Sequence, residues 1–231
     1  MAGILIGVGA GPGDPNLLTL KGLQTLEDAD IIVIADSGSK SALDSIISQF
    51  SFEDKLVRVE VPMTKDEEVL RQAWDEGFAL IKSYLENEQV VAQLVLGDAS
   101  LYASFTPSLL LAKEAGYEVR IVPGIMTASA AAATTLTPLA IKDEVLHFVP
   151  ALSTDLIDSA LSSDANIVFY KAKRNFEYIV SALKKLGRID EAYLVEKLGM
   201  PGERVSMDLT NAEPPSSYFT TIFVSAKHSG S

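Results

Sequence analysis

Five short apolar runs, at residues 4–8, 31–34, 56–61, 90–96 and 119–122, alternate with stretches of helical periodicity such as 16–26 and 65–86. Strand-length runs rich in Val, Ile and Leu, separated by amphipathic helices, bury themselves best as a mostly parallel sheet with helices on both faces. A second series follows, at 145–149, 167–170, 192–196, 203–207 and 218–226, with helices expected at 155–161 and 175–186. Fewer helices separate the late strands, so this sheet is expected to be mixed. The 231 residues suffice for two small cores. The expected fold is α/β, with two α/β domains at 1–116 and 117–231.

The first strand, Ile4-Leu5-Ile6, runs into Gly7-Val8-Gly9-Ala10-Gly11-Pro12-Gly13-Asp14-Pro15. The dinucleotide spacing G-x-G-x-x-G fails here, because counting from Gly7 reaches Pro12 and from Gly9 reaches Asp14. Asp14 also opposes a phosphate, since a carboxylate at a helix N-cap occupies the amides and positive dipole that an anion would use. Asp14-Pro15 reads as N-cap and first helical residue. The lysine of a P-loop is absent as well. A tight turn alone would account for some of the glycines. Four glycines and a proline between residues 7 and 13 exceed that need, and the loop reads as a backbone-lined ligand wall.

The chain carries 31 acidic and 19 basic side chains, a formal charge of −12, which disfavours nucleic acid and anionic membranes as partners. It has no cysteine, so disulfides and thiolate metal sites are excluded. Its two histidines, His147 and His228, cannot build a multi-histidine centre, and no metal is expected. His228 falls in a tail expected to fray. No apolar run is long enough to span a membrane, and the start lacks an export signal, so a cytoplasmic location is expected. Trp74, at helical spacing with Val69, Leu70, Phe78 and Ile81, reads as packing rather than as a ligand platform.

Three further connections stand out. Gly97-Asp98-Ala99-Ser100-Leu101-Tyr102 follows a strand and offers a carboxylate for an amino group or ribose hydroxyl; an Asp cap is the alternative. Pro123-Gly124-Ile125-Met126-Thr127 leads into an alanine-rich helix. Tyr170-Lys171-Ala172-Lys173-Arg174 places three positive charges in four residues of an acidic chain, suited to a solvated face or to a ligand with several carboxylates. Ligands of open α/β sheets sit beyond the carboxyl ends of strands, so these loops and 7–15 could share one cleft.

These residues resemble the tetrapyrrole methyltransferases. The opening 7–22, Ala29-Asp30-Ile31-Ile32-Val33, Gly97-Asp98, Val122-Pro123-Gly124 and Leu136-Thr137-Pro138-Leu139 look like the family's motifs. The stretches 97–105, 170–176 and 200–205 are similar to the branch that methylates C20 of precorrin-2 or cobalt-factor II. Ala99 stands where the family usually has proline, and Ala10 is one residue more than the commonest form of the opening loop. The resemblance implies a homodimeric enzyme with S-adenosylmethionine folded in a cleft between two domains. It puts Pro12, Leu96, Gly97, Asp98, Leu101, Met126, Thr127, Tyr170, Leu198 and Thr220 against that cofactor. Gly9, Gly11, Gly13, Lys21, Lys171, Lys173, Arg174 and Arg204 would face the tetrapyrrole. Asp14 and Tyr102 are candidate bases for the proton that a methylated meso carbon must lose. The alternatives are methylation at another ring position or of a macromolecule, and a non-catalytic tetrapyrrole carrier.

Overall fold

A computed structural model describes residues 3–36, 43–62, 64 and 66–226. His228 and position 65, the start of the helical stretch expected at 65–86, lie outside them. Two compact units divide the chain at Met126 and Thr127.

In the first unit the strands β1 (Ile4–Gly9), β2 (Ile31–Asp36), β3 (Leu56–Glu60), β4 (Val90–Val95) and β5 (Glu118–Val122) form a parallel sheet in the order β3-β2-β4-β1-β5. The helices α1 (Leu20–Asp28), α2 (Asp44–Gln49), α3 (Glu67–Glu86) and α4 (Thr106–Glu114) fill the connections. Alternation along the strands gives each face its own core. Ile6, Val8, Ile32, Ile34 and Leu94 pack with Leu26, Ile46 and Ile47 on one side. Leu5, Val33, Val91 and Val95 pack with Phe78, Ile81, Leu85 and Phe105 on the other. Trp74 is half-buried and stands outside both cores.

The division falls ten residues later than the expected 116/117, because β5 is hydrogen-bonded to β1, with Val8 opposite Val122. Its 118–122 stretch is largely exposed, and only its pairing partner assigns it to the first sheet.

The second unit contains α5 (Thr127–Thr135), β6 (Leu146–Pro150), α6 (Thr154–Leu161), β7 (Asn166–Tyr170), α7 (Phe176–Leu186), β8 (Ala192–Glu196), β9 (Arg204–Ser206) and β10 (Thr220–Val224). Its sheet order is β6-β7-β10-β8-β9, parallel only between β6 and β7, so it is mixed. One face packs Ile167, Phe169, Leu194 and Ile222 against Ile157, Ile179 and Leu183 of α6 and α7. On the other, Tyr193 and Phe223 stack with ring centroids 4.6 Å apart.

Candidate functional site

The order β4-β1-β5 brings three turns side by side at the carboxyl end of the first sheet. Gly11 and Gly97 exchange backbone hydrogen bonds: the Gly11 N–H donates to Gly97 O at 3.1 Å and the Gly97 N–H to Gly11 O at 2.7 Å. Ala10, fully buried, donates its N–H to Val95 O. Beside this bridge, the backbones of Gly9 and Gly124 meet each other and the Gly97 carbonyl with no room for a side chain on either glycine. A Cβ at Gly9 would lie 2.5 Å from Gly124 N and 2.7 Å from Gly97 O, and one at Gly124 would lie 2.7 Å from Gly9 Cα. Glycine is required for this approach, not merely for turn formation.

Asp98 fastens the cluster. Its Oδ1 accepts from the Ser100 N–H at 2.8 Å and from the Ser100 hydroxyl, and its Oδ2 accepts from the Gly124 N–H at 2.8 Å. Partial burial disfavours the carboxylate, but the bonds from the Ser100 hydroxyl, the Ser100 N–H and the Gly124 N–H outweigh it, and its pKa falls below the ordinary 3.8. Asp98 therefore braces one turn against another. It closes an Asx turn and caps no α-helix, since α4 starts only at Thr106. Gly124 and Ser100, absent from the expected site residues, complete the brace.

Gly97, with φ +73°, has no atom within 4 Å of where a Cβ would stand. Backbone there is open to a bound group. Pro12 and Gly13 are buried, and Leu96, Leu101 and Met126 are partly so. Asp14 is the expected cap, its Oδ1 accepting from the Asn16 N–H and from Asn16 Nδ2, both at 2.9 Å. The helical register at 16–26 is broken. A 3-10 turn covers Pro15–Leu17, and α1 begins at Leu20 behind a Thr19 cap. Lys21 is exposed on the first turn of α1. Tyr102 is 42% exposed and left-handed, with φ +50°. Partial burial raises its phenol pKa above the ordinary 10.0, so at neutral pH it is a proton donor rather than a base.

In the second unit, antiparallel pairing puts the carboxyl ends of β7 and β8 beside the start of β10. Tyr170, Leu198 and Thr220 thereby share one end of the sheet. Thr220 is 1% exposed and donates its hydroxyl to Ser217 O at 2.6 Å. Thr127 opens α5. Glu196 is 3% exposed and accepts from the Ser216 hydroxyl at 2.8 Å and from the Ser217 N–H. Burial pushes its pKa upward, but the Ser216 and Ser217 bonds and the nearby Arg204 charge prevail and hold it below 4.5. Arg204 Nε lies 3.1 Å from Glu196 Oε2, an ion pair rather than an aligned hydrogen bond, and Arg204 also donates to Glu213 O. Lys173 donates to Ser216 O. Two cations expected on a ligand are thus engaged in holding the 213–217 segment, whereas Arg174 is exposed.

A cavity of 510 Å³ in the same unit is lined by Thr137, Asp190, Glu191, Tyr193 and Met207 among others, at the opposite end of the sheet. None of the expected site residues lines it. Among the described residues no group of three or more His, Asp or Glu is placed to hold a metal ion, and no helix is long and apolar enough to cross a membrane.

A parallel unit with backbone-interlocked turns, followed by a mixed-sheet unit, is the architecture of a methylase class, and the chain belongs to it: the model of the Tetrapyrrole (Corrin/Porphyrin) Methylases matches residues 4–212. Among its relatives is a protein of Methanocaldococcus jannaschii bearing the name "Probable cobalt-precorrin-2 C(20)-methyltransferase", 32% identical over 83% of this chain and 86% of its own. The cobalt-precorrin-2 C(20)-methyltransferase of Salmonella typhimurium is 29% identical over 97% of both. The fold is also that of a cobalt precorrin-4 methyltransferase, with TM-score 0.75 and 20% identity over 96% of this chain and 94% of that one. A uroporphyrin-III C-methyl transferase from Thermus thermophilus, solved with S-adenosyl homocysteine, superposes with TM-score 0.69 at 21% identity, covering 96% and 97%.

Proposed function

We propose that the protein transfers a methyl group from S-adenosylmethionine to C20 of precorrin-2 or cobalt-factor II, a step in building the corrin ring. The observation that carries this reading is the interlocked Gly9–Gly97–Gly124 cluster braced by Asp98. It presents backbone rather than side chains where a ligand of an open α/β sheet binds. The relatives named for C20 methylation, similar over most of the chain, support the choice of ring position.

The residues fit an adenosyl ligand. Gly97 leaves an open cradle that a side chain would fill, and Pro12, Leu96, Leu101 and Met126 supply apolar or backbone contacts around it. By the family resemblance, Tyr170, Leu198 and Thr220 are further candidates for cofactor contact. S-adenosylmethionine, when bound, brings a methyl already activated on a sulfonium. The chain's task is therefore alignment, worth about 7–11 kcal/mol when geometry is fully productive. Asp98 does this indirectly, by fixing the turns. Gly9, Gly11 and Gly13 would form a wall for a flat macrocycle, with Lys21 available to its carboxylates; the resemblance adds Lys171 and Arg174 as further candidates for those carboxylates.

The meso carbon must also release a proton. Tyr102 stays protonated, so the acceptor in this reading is Asp14, whose Oδ1 already accepts from Asn16, or water. The family resemblance extends the proposal to a homodimer acting in the cytoplasm; light scattering of the purified protein would test the dimer.

Incubating the protein with S-adenosylmethionine and either precorrin-2 or cobalt-factor II, then locating the new methyl by mass and NMR analysis, tests the reading. A methyl on C20 is expected. Binding of S-adenosylhomocysteine without any mass increase on either macrocycle would refute it.

A further inference from the structure

Five basic side chains belong to the segments at the end of the second sheet that carries Tyr170, Leu198 and Thr220: Lys171, Lys173, Arg174, Lys197 and Arg204. Lys173 and Arg204 are engaged within the protein, as described above. Lys197 is not.

Lys197 follows Glu196 directly, and its backbone is held on both sides. Its N–H donates to Phe219 O at 2.9 Å, and its carbonyl accepts from the Met200 N–H at 2.9 Å. Its φ of +53° lies in the left-handed region, an unfavourable conformation for a residue with a side chain. Its side chain lies over the following turn, where a Cβ at Gly202 would stand 3.5 Å from Lys197 Nζ, ordinary van der Waals contact. Lys197 is partly buried, yet among the described residues its ammonium has neither an ion pair nor a hydrogen bond.

Such a cation needs explaining in a chain with 31 acidic residues. The adjoining carboxylates are committed elsewhere. Glu196 serves Ser216, Ser217 and Arg204, and Glu203 accepts from the Gly199 N–H at 2.6 Å. Across β10 stands Lys171, also left-handed at φ +58°. Two strand spacings put the two backbones about 10 Å apart.

We infer that Lys197 binds a carboxylate of the ligand that sits against Leu198 and Thr220. This rests on the methyl-transfer reading, which offers two sources of that group: the amino-acid end of S-adenosylmethionine and the acidic side chains of the macrocycle. A charge-assisted hydrogen bond from a lysine ammonium to a carboxylate is strong enough to register in affinity.

The test compares Lys197→Met and Lys197→Arg with the wild-type protein. Calorimetry uses S-adenosylhomocysteine and 5′-methylthioadenosine, which lacks the amino-acid end, and steady-state kinetics gives KM and kcat for cobalt-factor II. If the carboxylate is the cofactor's, Lys197→Met weakens S-adenosylhomocysteine by roughly ten- to a hundredfold and leaves methylthioadenosine within about twofold. If it is the macrocycle's, S-adenosylhomocysteine binding is kept and KM for cobalt-factor II rises by a similar factor with kcat retained. In either case Lys197→Arg restores most of the loss. Equal weakening of both nucleosides would mark a packing defect and overturn the inference, as would affinities and KM all indistinguishable from wild type. Failure of the wild-type protein itself to bind S-adenosylhomocysteine would instead overturn the functional reading beneath it.

Discussion

The Asp98 carboxylate accepts the Gly124 N–H at 2.8 Å across 26 residues of sequence, tying the turn after β4 to the turn after β5. Both carboxylate oxygens accept hydrogen bonds from within the protein, so the acid holds backbone in place on both sides.

Asp98→Ala removes the acceptor for Ser100 and Gly124 together. A loss of about 1–3 kcal/mol in unfolding free energy is expected by chemical denaturation. A clear fall in S-adenosylhomocysteine affinity should accompany it under conditions where the variant remains folded. Unchanged calorimetric affinity would remove Asp98 from the binding machinery.

Acid should destabilise the protein through two carboxylates. Asp98 and Glu196 both have folded pKa values below their ordinary 3.8 and 4.5. A depressed acid contributes stability that is complete above its unfolded pKa and is lost as pH falls through the folded one. The melting temperature should therefore show little dependence on these two groups above pH 4.5 and should drop below pH 3.8. The drop should be shallower in Glu196→Gln, as read by circular dichroism melts at stepped pH.

Gly7 and Phe105 occupy complementary space, since a Cβ at Gly7 would lie 2.5 Å from Phe105 Cδ1. Gly7→Ala should cost about 1–3 kcal/mol by overpacking. Phe105→Ala, which empties a fully buried site, should cost about 3–5 kcal/mol. The double variant should be more stable than the sum of the two losses implies, because the added methyl enters vacated space. Strict additivity in a denaturation cycle would contradict the contact.

Tyr102 holds a left-handed backbone at φ +50°. Tyr102→Gly should remove strain worth about 1–2 kcal/mol, offset by glycine's larger unfolded-state entropy. A melting temperature equal to or above wild type is expected. With its phenol pKa raised, Tyr102 is no base, so Tyr102→Phe should keep kcat within about tenfold and leave the pH–rate profile unchanged.

Much of the fold was legible in the sequence because strands announce themselves locally. The run at 90–96 became Val90–Val95, and 192–196 became β8 without change. Short helices carried less signal. Asp44–Gln49 spans six residues, and Thr106–Glu114 starts behind Phe105, which provides no side-chain cap. What local pattern cannot reveal is partnership. The exposed β5 belongs with β1 more than a hundred residues earlier, and that pairing moved the division of the chain.

The site was legible in the same uneven way. The glycines at 9 and 97 and the acid at 98 were singled out by their turns. Gly-Asp follows one strand and Pro-Gly the next, but nothing in either motif indicates that Asp98 grips Gly124. Arg204 and Lys173 look alike on paper as free cations. The buried Glu196 and the Ser216 carbonyl that claim them lie up to 43 residues away.

The contact among Gly9, Gly97 and Gly124 has a bearing on how such a protein can diversify. Three segments scattered along the gene touch through atoms that every amino acid possesses. At Gly9 and Gly124 no side chain fits, so neither segment can be exchanged singly for a foreign loop without disturbing the backbone it meets. Variation is left to the side chains around the rim, while the backbone junction itself is inherited whole.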